Sequence, residues 1–223
     1  MPPEAWGPPQ PTGPFNPSDD AFNLPYGLTG GAVIGDHQVK KHLNLGGASD
    51  MELYLLLTSS LYLLGTRDMA FLNEDIPFYY KTHRNTSASR TVLQALCDSY
   101  LFVRDHIGVG EHGLLRVQSG DWNDGFTDME QCGDNATCLK DVCARGESVS
   151  NAGLAKYVLP MFADILELSA DSSATANLRC PSPQEVRRFA QSQGDALEQA
   201  WNGKWFNRAW LPRAGWIGNV SGE

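Results

Sequence analysis

The stretch that most restricts the fold is Ser49–Leu64, a polar opening followed by a run dominated by leucine. Ser49-Asp50-Met51-Glu52 has the spacing of a capping box, in which the Ser hydroxyl and the Glu carboxylate satisfy each other's free backbone N–H groups. Leu53, Leu55, Leu56, Leu57, Leu61, Leu63 and Leu64 then leave almost no polar face, and Gly65 is expected to end the helix. A helix apolar nearly all round must be covered on more than one side. Thr58, Ser59 and Ser60 interrupt the run, which is too short and too polar to cross a bilayer.

Three further helical patterns follow. Val92, Leu96, Tyr100 and Val103 recur at helical spacing between about Ser87 and Ile107. Leu154, Tyr157, Val158, Met161, Phe162, Ile165 and Leu166 mark one face of Val149–Ala170, where Pro160 is expected to interrupt and kink the helix. Ser182-Pro183-Gln184-Glu185 is a second capping box, opening a helix to about Trp201. Asp68–Glu74 reads as a short helix stopped at Asp75-Ile76-Pro77, and Trp205–Trp210 reads as a strand or an irregular loop. The fold expected is all-α, with helical hairpins stacked side by side as part of a toroid that four long helices cannot close. Residues 1–47 hold most of the prolines and form a loop-like lead-in, so the folded unit is placed at 48–223.

Between the second and third long helices lies Gly120-Asp121-Trp122-Asn123-Asp124-Gly125-Phe126. Asp, Asn and Gly also build ordinary surface turns. The indole argues for more than a turn, because carboxylates, a flat apolar ring and a carboxamide together suit a carbohydrate site. A calcium loop fails on spacing, since Gly125 comes one place early and Cys132 stands where a bidentate Glu belongs. The net charge of −9 argues against nucleic acid. Metal-type C-x-x-C spacing is absent, so zinc is not expected.

Cys132, Cys138 and Cys143 cluster in one loop, Cys97 sits on a helical apolar pattern, and Cys180 stands alone before a helix. Asn85-Thr86-Ser87, Asn135-Ala136-Thr137 and Asn219-Val220-Ser221 are glycosylation sequons. Together these favour an oxidising, secretory compartment with one disulfide in the cysteine loop. Met1–Trp6 has neither the basic nor the apolar region of a leader, so the chain is either intracellular or begins inside a longer protein.

The order of motifs resembles the catalytic barrel of glycoside hydrolase family 94, inverting phosphorylases of β-linked glucosides together with the barrel of cyclic β-1,2-glucan synthases. Gly65–Asp68 and Phe71–Phe78 look like the family's "TGD" turn and "FLDE-VPF" stretch. Glu111–Leu115 leading into Gly120–Gly125 resembles "HGLP…GDWNDG", Gly146–Val149 resembles "GESVW", and Trp201–Ala209 resembles "WDGEWYRRA". The resemblance implies an (α/α)6 barrel and a glycoside phosphorylase, a glycosyltransferase of the glycoside hydrolase type. Inorganic phosphate is then the co-substrate, and no other cofactor or metal is implied. The resemblance puts the general acid on Asp124 and the donor-sugar wall on Trp122. It makes Asp121 and Asn123 supporting hydrogen-bonders and Glu147 a further substrate-side polar group. An oligosaccharide or disaccharide is the implied partner, with no nucleic acid and no membrane span, and a homodimer is compatible with it.

Departures from the family pattern are specific. Phe126-Thr127 replaces Met-Asn, Ser150 stands where "GESVW" has Trp, and residues 1–47 hold no "FRD…QD" segment. The family's phosphate-binding segments lie past residue 223, so the chain reads as the middle of a longer enzyme. Two other readings compete. One is an inverting hydrolase, which needs a second carboxylate about 6.5–9.5 Å from the acid; Glu147 is the nearby candidate in sequence. The other is a non-catalytic sugar-binding fragment. On its own His112 reads as a turn residue, and Trp201 as core.

Overall fold

The computed structural model describes residues 49–77, 89–118, 120–121, 132, 135–169 and 180–218. Helix α1 is Met51–Thr66. A 3-10 turn, Met69–Asn73, leads to strand β1, Asp75–Pro77, which pairs antiparallel with β2, Ser89–Thr91. Helix α2, Val92–Leu101, continues as a π-helical turn over Phe102–Ile107. Helix α3 is Ala136–Arg145, β3 is Glu147–Ser148, and α4 is Val149–Ser169. Helix α5, Pro183–Leu197, passes through a 3-10 turn at Glu198–Ala200 towards β4, Ala209–Leu211, and β5, Gly215–Ile217.

Helix α4 packs on both α5 and α1, and α1 packs on α2. The main core collects Leu53, Leu56 and Leu63 from α1 and Leu93, Leu96 and Tyr100 from α2. Val158, Leu159 and Phe162 from α4 and Val186 and Ala190 from α5 complete it. Burying each such leucine is worth about 1.5–3 kcal/mol, enough to hold short-range helices that are marginal alone. This layered, all-α packing is part of an (α/α) barrel, as the helical patterns predict.

Several local expectations are corrected. The Ser49–Glu52 capping box does not form: Asp50 is the N-cap residue and no side chain caps the helix. The Ser49 hydroxyl faces instead the carbonyls of Val117 and Gly120, at 2.9 and 3.0 Å, and receives a bond from Asn151 Nδ2. Gly65 lies inside α1, and Arg67 takes the left-handed conformation, φ 61°, that closes it. Leu61 is exposed with Tyr54 and Tyr62, so α1 keeps one open face. The second helix starts later than expected, behind a capping box of Thr91 and Gln94, because the residues before it pair as a strand. Helix α4 runs through Pro160 as one element. The Ser182–Glu185 capping box forms as the spacing predicts.

Glu52, released from its expected cap, is buried in the first turn of α1. Among the described residues its Oε2 has no hydrogen-bond partner. Burial, reinforced by the nearby Asp50 charge, pushes its carboxyl from 4.5 up to about 7. The folded state therefore binds more protons than the unfolded chain between those two values. Stability is full below about pH 4.5 and falls as pH rises through about 7, by roughly 3 kcal/mol at 1.36 kcal/mol for each pKa unit. Glu52→Gln is expected to remove this slope and to raise stability at pH 8 by about 2 kcal/mol. Urea denaturation of both proteins at pH 5 and pH 8 checks it; equal pH slopes would contradict it.

Cys97 on α2 is bonded to Cys180 ahead of α5, and Cys132 to Cys138 in the loop before and into α3. The second pair is the expected loop disulfide. The first joins two cysteines that the sequence left apart.

Candidate active site

The site is built where short segments converge on the N-terminal end of α4. Strand β4 is the centre of a three-stranded antiparallel sheet, pairing Glu147 with Trp210 and Ser148 with Ala209 on one side and Trp210 with Trp216 on the other. Residues Leu115–Val117 run along β3: Ser148 N–H donates to the Leu115 carbonyl and Val117 N–H to that of Gly146, both at 2.8 Å. This hairpin-like anchoring carries the chain directly into Gly120 and Asp121. Gly120 is fixed in turn by Ser49, whose N–H donates to its carbonyl at 2.8 Å.

Asp121 is buried and accepts two short bonds. Ser148 Oγ–H donates to Oδ2 at 2.5 Å, and Arg208 Nη2–H donates to Oδ1 at 2.6 Å. The Ser148 hydroxyl also accepts the Asn151 N–H at 3.0 Å, inside the first turn of α4. Asp121 therefore ties the start of the signature to β3, to α4 and to the residue before β4. Trp122, Asn123 and Asp124 lie outside the described residues.

Glu147 is completely buried, and its carboxylate is surrounded by donors. His112 N–H and Leu114 N–H reach Oε1 at 3.0 and 3.1 Å, and His112 Nδ1 lies 2.6 Å from Oε2. Because a carboxylate only accepts, the His112 proton sits on Nδ1 and leaves Nε2 as the ring's second nitrogen. The imidazole packs between Trp210 and Trp216, with ring centroids 4.8 and 4.9 Å away. Gly110 makes room for this carboxylate, since a Cβ there would come within 2.5 Å of it. His112 is thus more than a turn residue: its half-buried ring joins the buried Glu147 carboxylate to Trp210 and Trp216.

Five contributions were not evident from the sequence. Arg208 and Asp121 are 87 residues apart. Ser148, Ser49 and Asn151 act through hydroxyl and amide bonds that have no local signature. Gln193, fully buried on α5, donates to the Gly113 carbonyl and accepts the Leu115 N–H, holding the His112 turn from behind. Arg208, at the second basic position of the "WDGEWYRRA" resemblance, and Ser148, inside the "GESVW" resemblance, stood on motifs that could have pointed to them. Trp201, expected in the core, is 48% exposed and stacks edge-on against Phe206.

Glu147→Gln is expected to turn an NH2 group against N–H donors and to cost about 2–3 kcal/mol, the penalty for leaving buried donors unsatisfied. A lowered urea midpoint with unchanged slope is the expected readout; an unchanged midpoint would contradict the arrangement described.

Residues 35–223 match the family described as Glycosyl hydrolase 94 superfamily, catalytic domain. The chain belongs to that superfamily, and its helical layers form part of such a catalytic domain. It is accordingly a carbohydrate-active enzyme domain of the glycoside phosphorylase and hydrolase type. A search of curated proteins gives no match to the chain. Among the described residues no helix is long and apolar enough to cross a membrane.

Proposed function

We propose that the site cleaves β-linked gluco-oligosaccharides by phosphorolysis with inversion. A phosphate oxygen bonds to the anomeric carbon as the glycosidic C–O bond breaks. The leaving oxygen takes its proton from the Asp124 carboxylic acid, giving a sugar 1-phosphate and a shortened sugar. Trp122 stacks on the donor ring, and Asn123 hydrogen-bonds its hydroxyls.

The observation that carries this reading is the fixing of Asp121. A loop that must hold an acid within hydrogen-bond reach of one oxygen needs a rigid root, and the bonds from Arg208 and Ser148 supply one. Asp121 is then a positioning residue. Glu147 has the same character, because its oxygens are engaged by His112 and Leu114 and it has no exposed surface. That engagement weakens the hydrolase alternative, in which Glu147 would have to activate a water. Phosphate needs no such base, being already an anion.

Asp124→Asn in the full-length enzyme is expected to lower release of sugar 1-phosphate from unactivated disaccharides by about a hundredfold or more, the usual worth of a general acid. Substrates with good leaving groups are expected to lose much less. Equal losses on both substrate types would remove Asp124 from the acid role.

A further inference from the structure

Asn135 opens helix α3, and its side chain is split in function between two atoms. Its Oδ1 accepts from Thr137 N–H and Cys138 N–H, both at 3.1 Å, which caps the helix. Its Nδ2 has no hydrogen-bond partner among the described residues. Both Asn135 and Thr137 are exposed. They are the first and third positions of the sequon Asn135-Ala136-Thr137.

We propose that Asn135 is an acceptor for an N-linked oligosaccharide. The chemistry uses the side-chain nitrogen, which takes no part in the cap. Nδ2 attacks the anomeric carbon of a lipid-pyrophosphate-linked oligosaccharide, the bond from that carbon to the phosphate oxygen breaks, and the lipid pyrophosphate leaves. One Nδ2 proton is lost, while Oδ1 remains a carbonyl oxygen. The helix cap therefore survives the modification, so the attached sugar and the folded helix are compatible.

A second observation comes from the cysteines. Cys97–Cys180 and Cys132–Cys138 are both disulfides, a pattern of compartments in which such transfer takes place. The Cys132–Cys138 bond encircles the sequon and is buried, while the acceptor itself is exposed. The other two sequons lie outside the described residues.

The test is peptide mapping of the natural protein from the cells that make it, before and after amidase deglycosylation in heavy-oxygen water. The peptide containing Asn135 should be recovered mainly after treatment, with the Asn converted to heavy-labelled Asp. Recovery of that peptide mainly unmodified from the untreated protein would overturn the proposal. Three variants expressed in the same cells separate sugar from cap. Thr137→Ala should lose the glycan with the cap intact. Asn135→Asp should lose it too, because Asp caps as well as Asn. Thr137→Ser should keep it. A mass shift persisting in Asn135→Asp would also overturn the assignment to this residue.

Discussion

Arg208→Met is expected to destabilise the protein by about 3 kcal/mol and to abolish turnover of the full-length enzyme at ordinary temperatures. The Asp121 side chain is completely buried and that of Arg208 is 20% exposed, so the pair is only weakly screened by water. Methionine keeps the length and packing of the arginine stem but leaves the carboxylate without its cationic donor. A buried charge stripped of its partner costs more than the intact pair contributes, because the desolvation penalty remains. The double variant Asp121→Asn, Arg208→Met should therefore recover a large part of the lost stability while remaining inactive. Recovery would identify the single-variant loss as an uncompensated charge. If both single variants and the double melt like the parent, the buried pair does not hold the loop.

Replacing Cys97 and Cys180 together by Ala is expected to cost about 4 kcal/mol. The bond joins residues 83 apart in sequence, and the denatured chain regains the freedom of a loop of that length when it is cut. The loop includes the His112 turn, Asp121 and Glu147. The Cys132–Cys138 pair spans a separation of 6, and its removal is expected to cost about 2 kcal/mol. Denaturant titrations of the two double variants measure the ratio directly. An equal loss from both would show that loop length does not set the effect.

Helices α1, α2, α4 and α5 were readable because their signals are local, whereas α3 lies where a cysteine loop was expected. Ser182 and Glu185 stand three apart and meet within one turn, and the apolar stripe of α4 is buried at Val158, Phe162, Ile165 and Leu166, while Tyr157, expected on it, is exposed. The Ser49–Glu52 pattern failed for a tertiary reason: carbonyls from residues 117 and 120 claim the Ser49 hydroxyl, and burial claims Glu52. The three-stranded sheet was out of reach because strands of two or three residues show no period. The Arg208–Asp121 and Cys97–Cys180 contacts join residues more than 80 apart, which a single sequence cannot pair. Within the site, composition and order pointed to Gly120–Gly125. They did not reveal that Asp121 and Glu147 are enclosed by protein donors.

The most direct test of the account is to incubate the full-length enzyme with β-linked gluco-disaccharides, with and without inorganic phosphate, and follow the anomeric products by NMR. No cleavage is expected without phosphate and, with it, an α-configured sugar 1-phosphate beside free sugar. Free sugars alone, released at the same rate with or without phosphate, would contradict it.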